Sequence, residues 1–431
     1  MKPRSTQKKI RYAVVGLGHI AQVAVLPAFK HARRNSELTA LVSGDAKKRE
    51  VLAQKYHVRS AASYDQYDNL LRSGDIDAVY IALPNNLHAE YSIRAAQAGI
   101  HVLCEKPMAV TAIECAAMIL AARKHDVKLM IAYRLHFEEA NLKAIQIVKS
   151  GKIGEVRFFN SLFSLQVKDG NIRTRENLGG GTLYDLGVYC INAARYLFQA
   201  EPQEVFACGA NNGERRFREI DEMTAAVLRF PNDRLATFIS SFGAADAASY
   251  EIVGTKGRLR VDPAYEYVMA LRHQLTMSDK TFSRTFGKRD QFAPELLYFS
   301  DCIIKDREPE PSGRDGLADV RVIESLYRSA AVGKPNKALH QGPKKEAHAE
   351  ARNPAIPCRP RRACACGKRI RLRSPSPMTR RPRNKRRTSM VPKTSQRRLD
   401  HSPGRTTKIK DRGAKECRTS NAKPIRNDRS N

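Results

Sequence analysis

The sequence predicts an α/β protein with a doubly wound parallel sheet, followed by an α+β domain and a basic tail. Short apolar runs alternate with helix-length segments from residue 8 to residue 133. Such alternation is typical of a parallel sheet covered by helices on both faces. Between residues 134 and 338, segments that alternate apolar and polar residues indicate a half-buried open sheet. A chain of 431 residues is long enough for two such domains.

The first predicted strand, over residues 12–15, leads into a turn with the pattern Gly-x-Gly-x-x-Ala at residues 16–21. The first glycine permits a tight turn, the second lets the backbone approach a pyrophosphate, and the alanine lets the helix predicted over residues 20–29 pack on the strand. The N–H groups at the start of that helix would face the phosphates. The pattern predicts a dinucleotide site, although a turn that binds nothing looks the same. The expected cofactor contacts here are Gly16, Gly18, His19 and Ile20.

The second predicted strand, over residues 38–42, ends where the adenosine ribose of a dinucleotide would lie. NAD-preferring sites usually carry Asp or Glu about 20 residues past the glycines, but here Ser43 follows the strand and Asp45 comes late. A carboxylate repels a 2′-phosphate, whereas Ser43 and Lys48 can hydrogen-bond one. The segment therefore predicts NADP contacted by Ser43 and Lys48, with NAD as the alternative. Residues 47–49 are also typical of a solvated basic helix face.

Polar residues follow three further predicted strands, over residues 77–83, 100–104 and 128–132. Ligands of an open parallel sheet bind outside the carboxyl ends of its strands. A dinucleotide and Lys106 at that edge indicate a redox site. The expected contacts at these strand ends are Leu83, Pro84, Asn86, His88, Glu105, Lys106, Tyr133 and Arg134. A helix-capping role for His88 and a structural role for Arg134 remain open.

The second domain is predicted from short segments with alternating apolar and polar residues, over residues 156–159, 204–207, 224–230, 235–239 and 258–261. A Gly-Thr-Lys-Gly turn at residues 254–257 indicates a hairpin before the last of them. Two predicted helices, over residues 291–305 and 316–332, complete the domain.

The motifs Gly-x-Gly-x-x-Ala, Leu-Pro-Asn-x-Leu-His, Glu-Lys-Pro and a strand that ends in Tyr-Arg follow one another along the chain. Together they resemble the Gfo/Idh/MocA oxidoreductase family, and within it the glucose–fructose oxidoreductase subgroup, over residues 8–338. The resemblance implies a Rossmann domain that binds NAD(P) over residues 8–133 and a substrate domain over residues 134–338. It implies that the second domain forms a large open mixed sheet that supports homodimers or homotetramers. It also places Lys106 near the nicotinamide and the reacting hydroxyl, with Glu105 orienting the backbone or the ribose.

A second group of candidate catalytic residues follows three glycines at residues 179–181. Asp185 and Tyr189 are four residues apart and share one face of a helix, and the family pattern is an Asp followed four residues later by His or Tyr. A phenol is a weak base at neutral pH, but an ammonium such as that of Lys106 favours the phenolate. Roles for Tyr189 in the core and for Asp185 as a helix N-terminal acid remain open. The expected catalytic residues are Lys106, Asp185 and Tyr189.

Composition limits the other classes of protein. No run of 18 apolar residues occurs, so no membrane span is expected. The basic segment at residues 1–9 lacks the apolar stretch of a signal peptide, which predicts a cytoplasmic protein. The nine cysteines are expected to be reduced thiols. No metal site is predicted, because Cys364 and Cys366 are too isolated for a zinc site.

The net charge of +32 is concentrated in residues 341–431, which hold 28 Lys and Arg against 6 Asp and Glu. The segment has few apolar and no aromatic residues, so it cannot bury enough apolar surface to offset its ordering entropy. It is therefore expected to be a disordered basic tail. A frameshifted or read-through end is compatible with this composition, as is incidental nucleic-acid binding through charge alone.

These observations predict an enzyme that transfers a hydride between a carbon of a sugar (an aldopyranose) or polyol and nicotinamide, with NADP as the cofactor. Tyr189 and Lys106 would handle the proton. Two alternatives are a non-catalytic NADP-binding redox sensor and a nucleic-acid-binding protein that acts through its basic tail. The presence of Lys106, Asp185 and Tyr189 together favours the enzyme.

Overall fold

The computed structural model describes residues 8–338 of the chain. The expected disordered tail at residues 341–431 lies outside the described residues. Within residues 8–338, no helix combines the length and the apolar character needed to span a membrane.

The first sheet contains six parallel strands in the spatial order β3-β2-β1-β4-β5-β6. Its strands are β1 (Ile10–Val15), β2 (Ser36–Val42), β3 (Ser60–Ala62), β4 (Ala78–Ile81), β5 (His101–Glu105) and β6 (Leu129–Ala132). Val15, the last residue of β1, pairs with Val42 on one side and with Ile81 on the other. The carboxyl ends of these strands are therefore level, and the residues that follow them meet at one edge. This sheet confirms the parallel, doubly wound half of the predicted fold class.

Helices connect the strands of the first sheet: α1 (Leu26–Ala28), α2 (Ala46–Tyr56), α3 (Tyr67–Arg72), α4 (His88–Gln97) and α5 (Ala112–Lys124). The segment after the glycine turn differs from the helix predicted over residues 20–29. It forms a wider π-helical turn, Ala21–Val25, before the short α1. Pro27 has no N–H to donate to the preceding turn, so a regular α-helix cannot run through it unbroken.

The second sheet contains nine strands in the order β14-β13-β12-β11-β7-β10-β9-β8-β15. The strands are β7 (Val156–Ser164), β8 (Glu204–Ala210), β9 (Met223–Phe230), β10 (Arg234–Ser241), β11 (Ala247–Gly254), β12 (Gly257–Val261), β13 (Leu271–Met277), β14 (Lys280–Phe286) and β15 (Asn336–Lys337). Strands β7 and β10 pair in parallel, and the other pairs are antiparallel. The sheet is therefore mixed, as the resemblance implied, and the sequence missed β11, β13, β14 and β15.

The two faces of the second sheet differ in burial. One face packs on α6 (Glu139–Lys149), α7 (Val188–Phe198) and the C-terminal half of α9 (Gly313–Val332). The other face presents apolar side chains to solvent. These exposed residues are Phe158, Leu162, Phe206, Val227, Leu235 and Ile239.

The last two helices return to the first sheet. Helix α8 (Phe292–Ile304) shares an apolar core with the face of the first sheet that includes β1 and β4. Just before α9, the Ile131 N–H donates to the Pro311 carbonyl at 3.2 Å. A Cβ on Gly313 would lie 3.0 Å from the Leu129 side chain, so a larger residue there would push this side chain aside. Residues 292–332 therefore pack against the first sheet as well as the second.

Candidate active site

The glycine turn after β1 has the geometry that a phosphate site needs. Gly16 has a φ of +92°, donates its N–H to the Val42 carbonyl at 2.9 Å, and has no room for a Cβ beside the Ala82 carbonyl. Gly18, in contrast, is exposed, and nothing lies within 4 Å of the place where its Cβ would be. His19 is also exposed and Ile20 is half-buried. Gly16 therefore packs the turn against the sheet, and Gly18 leaves open space in front of it.

The end of β2 carries a serine flanked by cations. Ser43 is buried, and the Arg49 guanidinium donates to its carbonyl oxygen. Asp45 begins α2 by accepting the Lys48 N–H at 2.9 Å, a hydrogen bond that lowers the pKa of Asp45. The Lys48 Nζ lies 3.5 Å from the same carboxylate. In the structure, Arg49 contacts Ser43 and Lys48 pairs with Asp45. The sequence had instead predicted Lys48 as the cation that contacts the 2′-phosphate together with Ser43.

The loop after β4 provides a second polar wall. Leu83 is buried, and Pro84 and Asn86 are half-buried. The Asn86 Oδ1 is buried without a hydrogen-bond partner among residues 8–338. A buried acceptor without a donor is costly, so this oxygen suits a ligand that supplies an N–H or O–H group.

His88 differs from its expected role as a cofactor contact. Its Nδ1 lies 2.8 Å from the Pro107 carbonyl and its Nε2 lies 2.9 Å from the Leu83 carbonyl. The ring is buried, which lowers the pKa of His88 and favours the neutral form. In its neutral form His88 donates to only one of these two carbonyls, but both ring nitrogens are covered by the loops after β4 and β5, so neither is presented to a ligand.

The Gly16–Gly18 turn, the Asn86 oxygen and the Ser43–Arg49 pair lie at the carboxyl ends of β1, β4 and β2. They offer an open space beside a helix start, an acceptor without a hydrogen bond, and a cation bound to the main-chain carbonyl of Ser43. This donor and acceptor set fits a dinucleotide, whose phosphates need N–H groups and whose amide and hydroxyl groups need acceptors.

Lys106 lies at the carboxyl end of β5 and reaches across to the segment before α7. Its Nζ donates to the Asp185 carbonyl at 3.1 Å and to the Asp185 Oδ1 at 3.2 Å. It also lies 4.6 Å from the centroid of the Tyr189 ring. Burial opposes the charge of Lys106, but the neighbouring Tyr189, Asp185 and Glu105 side chains outweigh burial and raise its pKa. Lys106 is therefore an ammonium, with only 12% of its side chain exposed.

Asp185 bridges two cations. Its Oδ2 accepts a hydrogen bond from the Arg173 Nε at 2.6 Å, while Oδ1 faces Lys106. Burial works to raise the pKa of Asp185, but the two cations hold it far below the usual value. Asp185 lies in a π-helical turn, Leu183–Gly187, rather than in the α-helix that the sequence predicted. Lys106 nevertheless contacts both Asp185 and Tyr189.

The three glycines before this turn hold Arg173 in place. The Gly181 N–H donates to the Arg173 carbonyl at 2.9 Å, and a Cβ on Gly180 would collide with the same oxygen. The Gly179 carbonyl accepts a hydrogen bond from Asn85 at 2.8 Å, which joins this loop to the loop after β4. Arg173 is a site residue that sequence reasoning missed.

Tyr189 is enclosed by cations and aromatic rings. The Arg134 guanidinium carbon lies 5.1 Å from its ring centroid, and the Phe163 ring meets it edge-on at 5.6 Å. Arg134 is buried and donates to Gln291 at 2.7 Å and to the Tyr265 carbonyl. Arg134 therefore packs on Tyr189 and joins the two sheets, and its contact with a cofactor stays a prediction.

Tyr133 also differs from its expected role as a cofactor contact. Its hydroxyl donates to Asp319 on α9, and burial together with this carboxylate raises the pKa of Tyr133 well above its usual value. Asp319 accepts two further hydrogen bonds from α7, one from Asn192 at 2.9 Å and one from Arg195. Tyr133 thus points into the core, where the network fixes α7 against β6.

Glu105, the last residue of β5, is buried at the base of the turn formed by residues 105–107, here called the lysine turn. It accepts the Tyr80 hydroxyl at 2.8 Å on Oε1 and the Lys106 N–H at 3.3 Å on Oε2. Burial raises its pKa, against the opposing effect of Lys106 and Tyr80. Glu105 orients the backbone of the turn, one of the two roles that the resemblance implied for it.

Comparison with known proteins agrees with the family resemblance of the sequence motifs. Residues 10–133 match the GFO/IDH/MocA oxidoreductase family, described as having an NAD-binding Rossmann fold, and residues 141–260 match the GFO/IDH/MocA C-terminal domain. The NADP(+) D-xylose 1-dehydrogenase of Haloarcula marismortui is 33% identical over 333 residues, which cover 76% of this chain and 92% of that protein.

Two solved structures share the fold and are more than a quarter identical to this chain over the aligned residues. The aldose-aldose oxidoreductase of Caulobacter crescentus, complexed with glycerol, is 37% identical with a TM-score of 0.74, over 77% of this chain and 100% of that one. The 3-ketoreductase KijD10 of Actinomadura kijaniata, in complex with NADP and TDP-benzene, is 27% identical with a TM-score of 0.69, over 75% and 98%. This chain belongs to the GFO/IDH/MocA family of oxidoreductases.

Proposed function

We propose that the protein is an NADP-dependent sugar oxidoreductase that transfers a hydride between a carbon of an aldopyranose or polyol and nicotinamide. The observation that carries this proposal is the Lys106 ammonium, held between the Asp185 carboxylate and the Tyr189 ring at the carboxyl edge of the first sheet. Relatives named as a xylose dehydrogenase and an aldose-aldose oxidoreductase support a sugar as the substrate.

The residues that would hold the cofactor follow three neighbouring strands. The Gly16–Gly18 turn would face the pyrophosphate, and Asn86 would accept a hydrogen bond from the ligand. Ser43 and Arg49 would face the 2′-phosphate of NADP, because no carboxylate directly follows β2 to repel it. The NADP in the names of the xylose dehydrogenase and the KijD10 complex supports this preference. NAD is the alternative.

When bound, the cofactor supplies or accepts the hydride. In this proposal the phenolate form of Tyr189 takes the proton from the sugar hydroxyl during oxidation, and the resulting phenol returns it during reduction. Lys106 keeps its own proton and stabilises the negative charge that develops on the phenol and on the sugar oxygen. Asp185 keeps Lys106 charged and fixes its position. Arg173 binds the second carboxylate oxygen of Asp185, which weakens the electrostatic attraction between Asp185 and Lys106.

The test is turnover by the full-length protein with NADP(H) and NAD(H) against a panel of aldoses and polyols. We expect turnover with NADP and a pyranose, and its loss in the Lys106→Met and Tyr189→Phe variants. Tight NADP binding without turnover on any sugar would instead identify a redox sensor. Absence of nucleotide binding would contradict both functions.

We also propose that the protein forms a homodimer or homotetramer through the exposed face of the second sheet. Leu235 lies beside Phe158 and Ile239 beside Leu162 on the parallel pair of β7 and β10. These four side chains are each more than a third exposed and form one apolar surface. An Ile239→Arg change should lower the mass measured by light scattering, and an Ile113→Arg change on exposed α5 should not.

Two other expectations remain predictions. The cytoplasmic location rests on the sequence alone. Any nucleic-acid affinity would come from residues 341–431, which lie outside the described residues, so deleting them should abolish it and leave cofactor binding intact.

A further inference from the structure

Glu295 is a buried acid for which the proposed chemistry has no use. It lies on α8, is wholly buried, and faces the first sheet. Its Oε2 is 3.5 Å from the Tyr80 hydroxyl, and its Oε1 has no hydrogen-bond partner among the residues that the structure describes. An ionised carboxylate with an unbonded oxygen is costly in a protein interior, so the geometry favours a protonated Glu295.

Tyr80 connects Glu295 to the active site. The Tyr80 hydroxyl donates its hydrogen to the Glu105 Oε1 at 2.8 Å. Towards Glu295 the same oxygen can only accept, and an acceptor requires a proton on Glu295. Tyr80 is therefore hydrogen-bonded to Glu105 and lies 3.5 Å from Glu295, at the outer limit of a hydrogen bond, so a proton on Glu295 would point towards Tyr80.

The charge of the pair is better accommodated on Glu105. Glu105 accepts from Tyr80 and from the Lys106 N–H and lies near the Lys106 ammonium. Two carboxylates around one hydroxyl disfavour ionisation of both. Burial raises the pKa of both acids, and that of Glu295 lies well above its usual value because the charge of Glu105 adds to burial.

The remaining charged and titratable neighbours do not supply Glu295 with a partner. Arg134 lowers the pKa of Glu295, but its guanidinium is bonded to Gln291 and to the Tyr265 carbonyl. Tyr12, on β1, bonds to Ser300 at 2.8 Å.

We infer that Glu295 holds the single proton of this carboxyl pair and directs it towards Tyr80, so that Glu105 stays ionised beside Lys106. Glu295 is thus a positioning residue that acts on the lysine turn through Tyr80 and Glu105. Its effect on turnover rests on the proposed function, whereas its protonation does not.

The test is infrared spectroscopy of the full-length protein at neutral pH, in the range where protonated carboxyl groups absorb. We expect a band that disappears in Glu295→Gln, persists in Glu105→Gln, and shifts in Tyr80→Phe because the acceptor of the proton is lost. A band that survives Glu295→Gln, or that disappears in Glu105→Gln, would place the proton elsewhere and overturn the inference. The absence of any such band in the unmodified protein would overturn it as well.

Circular dichroism checks that each variant is folded, and a kinetic comparison provides a second readout. Glu295→Gln should keep kcat within about twofold of the unmodified enzyme, because the amide still donates to Tyr80. Glu295→Leu has no donor and should lower kcat by roughly tenfold. Equal loss in both variants would contradict a donor role for Glu295. If the protein turns over no sugar but shows the band, the proposed function fails and the inference stands.

Discussion

The Lys106 Nζ and the Asp185 Oδ1 lie 3.2 Å apart, in an ion pair between the turn after β5 and the segment before α7. The second oxygen of Asp185 is bound to Arg173, so one carboxylate serves two cations from different loops. Because both loops contribute to this arrangement, the site is complete only when the first sheet and the loop at residues 173–181 are packed together.

Replacing Lys106 with Met removes the ammonium and leaves Asp185 paired with Arg173 alone. We expect kcat to fall by about 10²–10⁴-fold, the range for loss of a positioned proton-transfer or charge-stabilising group. NADP binding, measured by cofactor fluorescence, should remain. The matched control is Lys152→Met at an exposed position, which should keep full activity.

Replacing Arg173 with Gln frees the Asp185 Oδ2 and lets the carboxylate draw Lys106 more strongly. We expect kcat to fall by about tenfold, with less change in thermal stability, because the Arg173 side chain is about a third exposed. Arg175, two residues later, pairs with Glu219 instead. An Arg175→Gln variant that lost as much activity would show that the loop, and not the Arg173–Asp185 bond, carries the effect.

The raised pKa of Glu295 makes stability depend on pH. Above pH 4.5, the usual value for this side chain, the unfolded chain releases the proton while the folded protein keeps it. Stability should therefore fall with rising pH by about 1.4 kcal/mol per unit from this residue, until the folded state also ionises. Denaturant unfolding of the unmodified protein and Glu295→Gln between pH 5 and 8 measures the difference. Parallel pH curves would refute this prediction.

Asp319 should be important for stability because it is wholly buried and bonded to Tyr133, Asn192 and Arg195. Asp319→Asn removes a charge that pairs with Arg195, and we expect a loss of roughly 3 kcal/mol, as for other broken buried pairs. Asp233→Asn breaks an exposed pair with Arg229 and should cost about 0.5 kcal/mol or less. Thermal unfolding of the two variants provides the comparison.

Arg49 should influence the choice of cofactor. Arg49→Gln removes the cation that lies on Ser43, so we expect the KM for NADP to rise by about tenfold and the KM for NAD to change little. The control, Lys47→Gln, alters an exposed cation on the same helix. Steady-state kinetics with both cofactors measure the preference. Equal changes in the KM for NADP and for NAD would show that Arg49 does not contact the 2′-phosphate.

The parts of the site that follow local rules could be predicted from sequence. Gly16 was identified because a strand-to-helix turn needs its backbone freedom, and Lys106 because a residue after an apolar strand lies at the ligand-binding edge. The pairing of Lys106 with Asp185 agrees with the expected catalytic group, although their roles in catalysis stay a prediction. The fold class was predictable for the same reason, since strand and helix periods are local properties.

The residues that sequence reasoning misplaced depend on tertiary contacts. Tyr133 and His88 follow the right strands, but partners on α9 and on the lysine turn decide where their side chains point. Arg173 and Glu295 carry no periodic or motif signal. They acquire their surroundings only when a long loop and a C-terminal helix fold back onto the first sheet.

The return of α8 and α9 to the first sheet has a consequence for recombining this protein with its relatives. A chimaera cut at residue 133 would keep β6 and discard the helices that pack on it, leaving Tyr133 without Asp319. The smallest exchangeable unit is therefore discontinuous, because residues 8–133 have to be exchanged together with residues 292–332. Residues 292–332 also bind α7 through Asp319, so an exchange of the intervening segment has to keep Asn192 and Arg195.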